Sequence, residues 1–262
     1  MRLRTYFSAL LMVIMMTTFA SADWILTHHY KLDETTGTTA YDSVGTVNGT
    51  LKVASGTAGF SFDDDATAGH IDGALKFTGT DNHIIDLGGD ALAVGTNDFK
   101  ISMWVKRGTI GTRQGLWGQS ENTQWNPGSM WARFEATTNL LRFIVDKGNS
   151  GSGDSQFEVF STSDITDTAW HQLEFARTYS AVNNETTYAI YIDGALDNSA
   201  VDPGTPYPIT GDDGAVFGSY TRTNTNSFDG LIDDIRIYGV PEPSSVVLLC
   251  LGLFSLMFTR RR

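Results

Sequence analysis

Apolar and polar positions alternate along this chain in short runs, each closed by Gly, Asn, Asp, Ser or Thr. The runs are Leu75 to Phe77, His83 to Leu87, Phe99 to Val105, Leu140 to Val145, Phe157 to Phe160, Trp170 to Phe175, Thr187 to Ile192 and Leu231 to Tyr238. Ile101-Ser102-Met103-Trp104-Val105-Lys106 and Tyr188-Ala189-Ile190-Tyr191-Ile192-Asp193 repeat with a period of two, which gives a strand one buried and one solvated face. Asp72-Gly73, Asp193-Gly194, Asp213-Gly214 and Asp229-Gly230 are turn signals, because both residue types tolerate positive φ. No stretch between the two ends sustains a helical period, and no repeat of 20–50 residues is visible. The pattern predicts an all-β protein, an antiparallel two-sheet β-sandwich of jelly-roll type. The Pro-rich stretch Asp202 to Pro208 reads as a surface loop.

The two ends depart from this pattern. Arg2 and Arg4, an apolar run from Tyr6 to Phe19 and Ala20-Ser21-Ala22 have the three parts of a secretory signal. The expected organisation is a signal peptide at 1–22, a sandwich domain at 23–240 and a tail at 241–262. That tail holds Pro241-Glu242-Pro243, an apolar run from Val246 to Phe258 and Arg260 to Arg262. Both apolar runs are shorter than the roughly 20 residues of an independent span, and terminal arginines hold to the cytoplasmic side. The segment from Val240 onward resembles the PEP-CTERM sorting signal of Gram-negative bacteria. The resemblance implies signal peptidase and an exosortase as export partners, transient contact of the tail with the inner membrane, and delivery to the cell surface or extracellular matrix.

Charge changes the picture once the ends are set aside. The chain carries a net charge of −12, and trimming to 23–243 removes five of 18 basic residues and none of 30 acidic ones, giving −17. A surface this acidic repels nucleic acid and anionic lipid. The one cysteine, Cys250, lies in the tail, so the domain folds without a disulfide. A chain of this length buries a core without such staples.

Between the ends, ordered blocks resemble the LamG-like jelly roll of the concanavalin A-like lectin/glucanase superfamily. They are His29 to Ser43, Asp72 to Gly79, Phe99 to Val105, Trp170 to Leu173, Tyr191 to Gly194 and Phe228 to Tyr238. The resemblance covers about residues 28 to 239 and implies a sandwich shared by lectins, adhesion modules, glucanases and lyases. Trp104, Trp170, Phe77 and Tyr238 are expected to be inward-facing core groups. His171 is expected to be packed or hydrogen-bonded. In family members, places resembling Asp42-Ser43 and Asp233-Asp234 hold a structural calcium ion. Asp42 and Asp234 are therefore the expected Ca2+ ligands, and Asp63-Asp64-Asp65 reads as a solvated acidic loop.

The motifs of catalysis are missing. The paired carboxylates of a retaining glucanase would appear as Glu-x-Asp-x-x-Glu or Glu-x-Asp-x-Glu, and neither spacing occurs. There is no Gly-x-Ser-x-Gly elbow, and no His-x-x-x-His or Cys-x-x-Cys pattern. A lyase built from scattered Tyr, His and Arg residues, and a structural matrix component without a ligand, stay open as alternatives. No catalytic residue is expected. The leading expectation is a non-catalytic domain binding a polysaccharide or a surface protein. Exposed aromatics serve such binding by stacking on sugar rings. Trp125 in the loop Trp125-Asn126-Pro127-Gly128, Trp117 in the Gly- and Gln-rich stretch before it, and Tyr220 ahead of an Asn/Thr loop are the expected contacts.

Overall fold

The computed structural model describes residues 24–54, 59–89, 92–119, 127–148, 156–210, 214–222 and 226–240. The signal segment, Trp125 and the whole tail at 241–262, with the sorting motif Pro241-Glu242-Pro243, lie outside the described residues. One compact unit spans Leu26–Gly239.

Sixteen strands and one helical turn, α1 (Phe62–Asp65), make up the described secondary structure. The first sheet, sheet A, runs in the order β14 (Ala195–Pro203), β13 (Glu185–Ile192), β12 (Trp170–Ser180), β7 (Phe99–Arg107), β16 (Gly230–Gly239), β5 (Gly73–Phe77), β4 (Ala66–Ala68). Strand β1 (Ile25–Tyr30) also pairs with β16. Sheet B runs β11 (Gln156–Asp164), β10 (Leu140–Asp146), β9 (Met130–Phe134), β8 (Gln114–Gln119), β15 (Ala215–Phe217), β6 (His83–Gly88), β3 (Gly49–Val53), β2 (Thr39–Ala40). Successive strands in both orders pair antiparallel. The all-β sandwich expected from the alternation is the observed fold.

Strand alternation sorts residues between core and solvent. On β7, Phe99, Ile101, Met103 and Val105 enter the core while Lys100, Trp104 and Lys106 stay partly exposed. Phe99 and Phe175 of sheet A meet Trp117 and Phe143 of sheet B edge to face. The ring centroids lie 6.3 Å apart for Phe99–Phe143, 5.7 Å for Trp117–Phe175 and 5.8 Å for Phe143–Phe175. These separations fall in the favourable range for aromatic pairs. Asp193 and Gly194, at φ 52° and 78°, form the tight turn between β13 and β14. The Pro-rich loop is tied down by the buried Arg177, which donates to the carbonyls of Tyr207 (3.0 Å), Gly95 (2.9 Å) and Asn97.

Candidate functional site

The outer face of sheet A carries the side chains that the core does not need. Trp104 is in phase with Lys100, Ser102 and Lys106, and its cross-strand partners are Gln172 on β12 and Asp233 on β16. Trp170 opens β12 opposite Lys106. Both tryptophans are partly exposed. His70, from the loop before β5, stacks on Trp104 with centroids 3.6 Å apart and planes 20° apart, and meets Trp170 edge-on at 6.1 Å. Further along the same face, Lys100 sits 4.7 Å from the Tyr238 ring centre and 3.3 Å from Glu174. Trp104, Trp170 and Tyr238 therefore face outward, contrary to expectation, and only Phe77 of the four is core. The phase of each strand is the reason. Ile101, Met103 and Val105 already fill the inner positions of β7.

Beside this platform β16 breaks its regular pairing. The register with β7 shifts between Asp233 and Arg236, and Asp234 takes φ 52°. Such a bulge re-aims side chains. The start of β16 pairs with β5, and its later part lies beside β1, where Thr27 donates to the Ile237 carbonyl at 3.0 Å. Between these neighbours opens a cavity of about 250 Å³. His29 and Lys31 line it from β1 and the residue just after it, Asp33 from further on, Ile71 and Asp72 from the loop, and Asp233, Asp234 and Arg236 from β16. Leu32 and Asp72 also hold positive φ, at 60° and 55°. Left-handed backbone costs a non-glycine residue about 1–2 kcal/mol, and clustering of such residues marks a site held in place by its surroundings.

The two carboxylates of the bulge have different partners. Asp234 accepts from His29 Nε2 at 2.6 Å and pairs with Arg236 Nη2 at 3.0 Å. Asp233 is completely buried. Its Oδ2 accepts from the amides of His70 (2.9 Å) and Ile71 (2.8 Å), and its Oδ1 has no partner. Burial first, then the charges of Asp234 and Asp33, push this carboxyl up to about 6, against those two amide bonds. Gly69 is required here, because a Cβ on it would lie 2.7 Å from Asp233 Oδ2 and 2.1 Å from the Gly73 carbonyl.

Asp42 and Asp234, the expected calcium ligands, are not brought together. His28 and His29 point to opposite sides of β1 and take one each. Asp42 accepts from the amides of His29 (3.0 Å), Val44 (3.2 Å), Gly45 (2.9 Å) and Val47 (3.3 Å), and from His28 Nδ1 (2.7 Å). A carboxylate so occupied has no lone pair to offer a hard cation that needs six to eight oxygens. Among the described residues no group of three His, Cys, Asp or Glu side chains is arranged to hold a metal. Asp42, with its oxygens so occupied, does not fit the ion.

The aromatic contacts expected from sequence also move. Trp117 is fully buried between the sheets, with no face for a ligand. Tyr220 is 2 % exposed, packed with Trp131 and Ile144 on the outer side of sheet B, and its hydroxyl accepts from Asn226 at 2.9 Å. Gly115 and Gly118 of β8 admit this packing, since a Cβ at either would fall within 2.5 Å of the Tyr220 main chain. His171 is hydrogen-bonded as expected, to Asp193 (2.8 Å) and Asp167 (3.0 Å). The acidic stretch at 63–65 forms α1, with Asp63 accepting from the Gly37 amide.

The sequence model of the concanavalin A-like lectin/glucanases superfamily matches residues 78–242. The chain belongs to that superfamily. A second match, to the PEP-CTERM protein-sorting motif at 239–262, marks an exported protein sorted through its tail. No curated protein matches the chain. Among solved structures, domain 4 of AbnA, a GH43 extracellular arabinanase from Geobacillus stearothermophilus in complex with arabinotriose, is similar at 21 % identity and a TM-score of 0.58. The match covers 83 % of this chain and 93 % of that one. The binding domain of Paraclostridial Mosquitocidal Protein 1 is similar at 16 % identity and a TM-score of 0.53, over 86 % of this chain and 51 % of that one. These likenesses show the fold.

Proposed function

We propose that this superfamily member is an exported, non-catalytic glycan-binding protein of a Gram-negative cell surface or matrix, and that the ligand lies on the outer face of sheet A. The observation that carries this reading is the pair Trp104 and Trp170. Each is partly exposed on a strand whose inner positions are filled by other residues, so neither is placed there by the needs of the core. Gln172, Glu174, Lys106 and Arg236 supply donors and acceptors around them. An aromatic surface rimmed by such groups suits a sugar, whose ring stacks while its hydroxyls are hydrogen-bonded. The arabinotriose complex of the AbnA domain lends support, as a domain of like fold with an oligosaccharide bound. Signal peptidase and an exosortase act on the ends during export. The domain then displays the platform outside the cell.

The test is retention of the purified full chain on a polysaccharide panel, with products assayed for new reducing or unsaturated ends. Saturable retention without new ends is expected, weakened at least tenfold in Trp170→Ala and Trp104→Ala, in line with the loss of a stacking anchor. New ends overturn the non-catalytic reading. Retention unchanged in both variants overturns the platform.

A further inference from the structure

Trp104 does not meet solvent alone. The imidazole of His70 lies on its indole, with centroids 3.6 Å apart and planes 20° apart, and of the two residues His70 is the more exposed. Such a stack occupies an indole face that a sugar ring would use. The backbone under His70 is fixed. Its amide and that of Ile71 donate to Oδ2 of the buried Asp233, at 2.9 and 2.8 Å, and Asp233 is the cross-strand neighbour of Trp104. The Gly69 amide donates to the Asp72 carbonyl at 2.9 Å and closes the turn. The imidazole is not fixed in this way. His28, His29 and His171 are each hydrogen-bonded to a carboxylate, whereas among the described residues no hydrogen bond or ion pair reaches the His70 ring. What holds it is the stack on Trp104 and an edge contact with Trp170 at 6.1 Å.

We infer that His70 is a displaceable cap on Trp104: in the free protein its imidazole covers the indole face, and a glycan binds by taking its place. The inference rests on the glycan-binding reading and adds to it a residue that sets affinity without belonging to the binding surface. With the main chain pinned and the side chain free of hydrogen bonds, the cap opens by a change of rotamer and needs no loop movement. Uncovered, the indole leaves an apolar face in water beside Trp170, and the cap removes that surface when no glycan is present. The same contact opposes binding. Only the fraction of molecules with Trp104 uncovered takes a sugar there, so the apparent affinity falls by that fraction. An aromatic stack of this kind is worth about three- to tenfold in an equilibrium constant. A sugar ring that stacks better than imidazole displaces it and a weaker one does not, so His70 also sets a threshold for which sugars Trp104 holds.

Calorimetric titration of the full chain in mild detergent, with hexasaccharides of glucose, xylose, mannose and galacturonate as probes, tests the cap. His70→Ala keeps the amide that Asp233 accepts. It is expected to bind the hexasaccharide that the wild type holds about three- to tenfold more tightly. His70→Phe, a ring with no polar edge to draw it into water, caps more firmly and is expected to bind about threefold more weakly. If His70 is instead a third stacking surface for the sugar, the two signs reverse, and that result overturns the cap while leaving the platform intact. Equal affinity in all three proteins overturns it as well. Acrylamide quenching of tryptophan fluorescence follows the cap without any sugar. The quenching slope is expected to rise in His70→Ala, and the rise to disappear when Trp104→Phe is added. No rise overturns the cap. If no hexasaccharide binds either the wild type or His70→Ala, the platform and the cap fail together.

Discussion

Asp42 and Asp233 lie in regions on opposite edges of β1, and the protein treats them in opposite ways. At Asp42 four backbone amides and His28 converge on one carboxylate. Burial opposes ionisation there, but the hydrogen bonds from His28, His29, Gly45 and Val44 win and hold the carboxyl at about 2. At Asp233 two amides serve one oxygen, the other is empty, and the carboxyl stands at about 6. Asp42 closes a turn and strengthens the fold. Asp233, when charged, is a net cost to the fold, because burial and its acidic neighbours outweigh its two amide bonds.

The largest expected effect is at Asp42. Asp42→Ala leaves four amides and an imidazole without their acceptor, and urea unfolding at pH 7 should show a loss of about 3 kcal/mol. A loss below about 1 kcal/mol would break the comparison.

The pH dependence of Asp233 comes next. Its folded value lies above the ordinary 3.8, so the folded state holds the proton more tightly than the unfolded one. Its contribution to stability is greatest below pH 4 and declines as pH rises through 6. Asp233→Asn escapes that decline. Relative to wild type the variant should gain on the order of 2 kcal/mol between pH 4 and pH 7.5. Paired melts at the two pH values check this, and an equal difference at both would remove the contrast. Asp42 has the reverse sign, its contribution complete above pH 4 and lost as pH falls toward 2.

Smaller effects sharpen the picture. Gly69→Ala presses a methyl group against the Gly73 carbonyl and Asp233 Oδ2, and should cost about 1–2 kcal/mol in the same assay. His28→Ala and His29→Ala each remove one hydrogen bond to a carboxylate, about 1 kcal/mol apiece. Titration by NMR should then show Asp42 moving upward in the first variant and not in the second.

Much of the fold was legible in the chain. The short apolar–polar runs became β5, β6, β7, β10, β11, β12, β13 and β16, and Asp193-Gly194 became a hairpin turn. Trp104 was legible too, since it falls in phase with Lys100, Ser102 and Lys106, a signal that its bulk concealed. Trp117 misled for the converse reason. Gln114-Gly115-Leu116-Trp117-Gly118-Gln119 has the composition of a loop but is a strand buried on both faces, its glycines making room for Tyr220.

Alternation, turn residues and the apolar ends are local properties, so the sequence by itself determined the all-β class, the positions of most strands and the sorting tail. The cavity is different in kind. His29 and Asp234 are 205 positions apart and Ile71 and Asp233 are 162 apart, and they meet only because β16 is flanked by β5 over its first residues and by β1 over its last. Strand order and a bulge in one strand depend on how two whole sheets pack, not on any local pattern, and for that reason only the tertiary structure decided which carboxylate was saturated and which kept a buried oxygen without a partner.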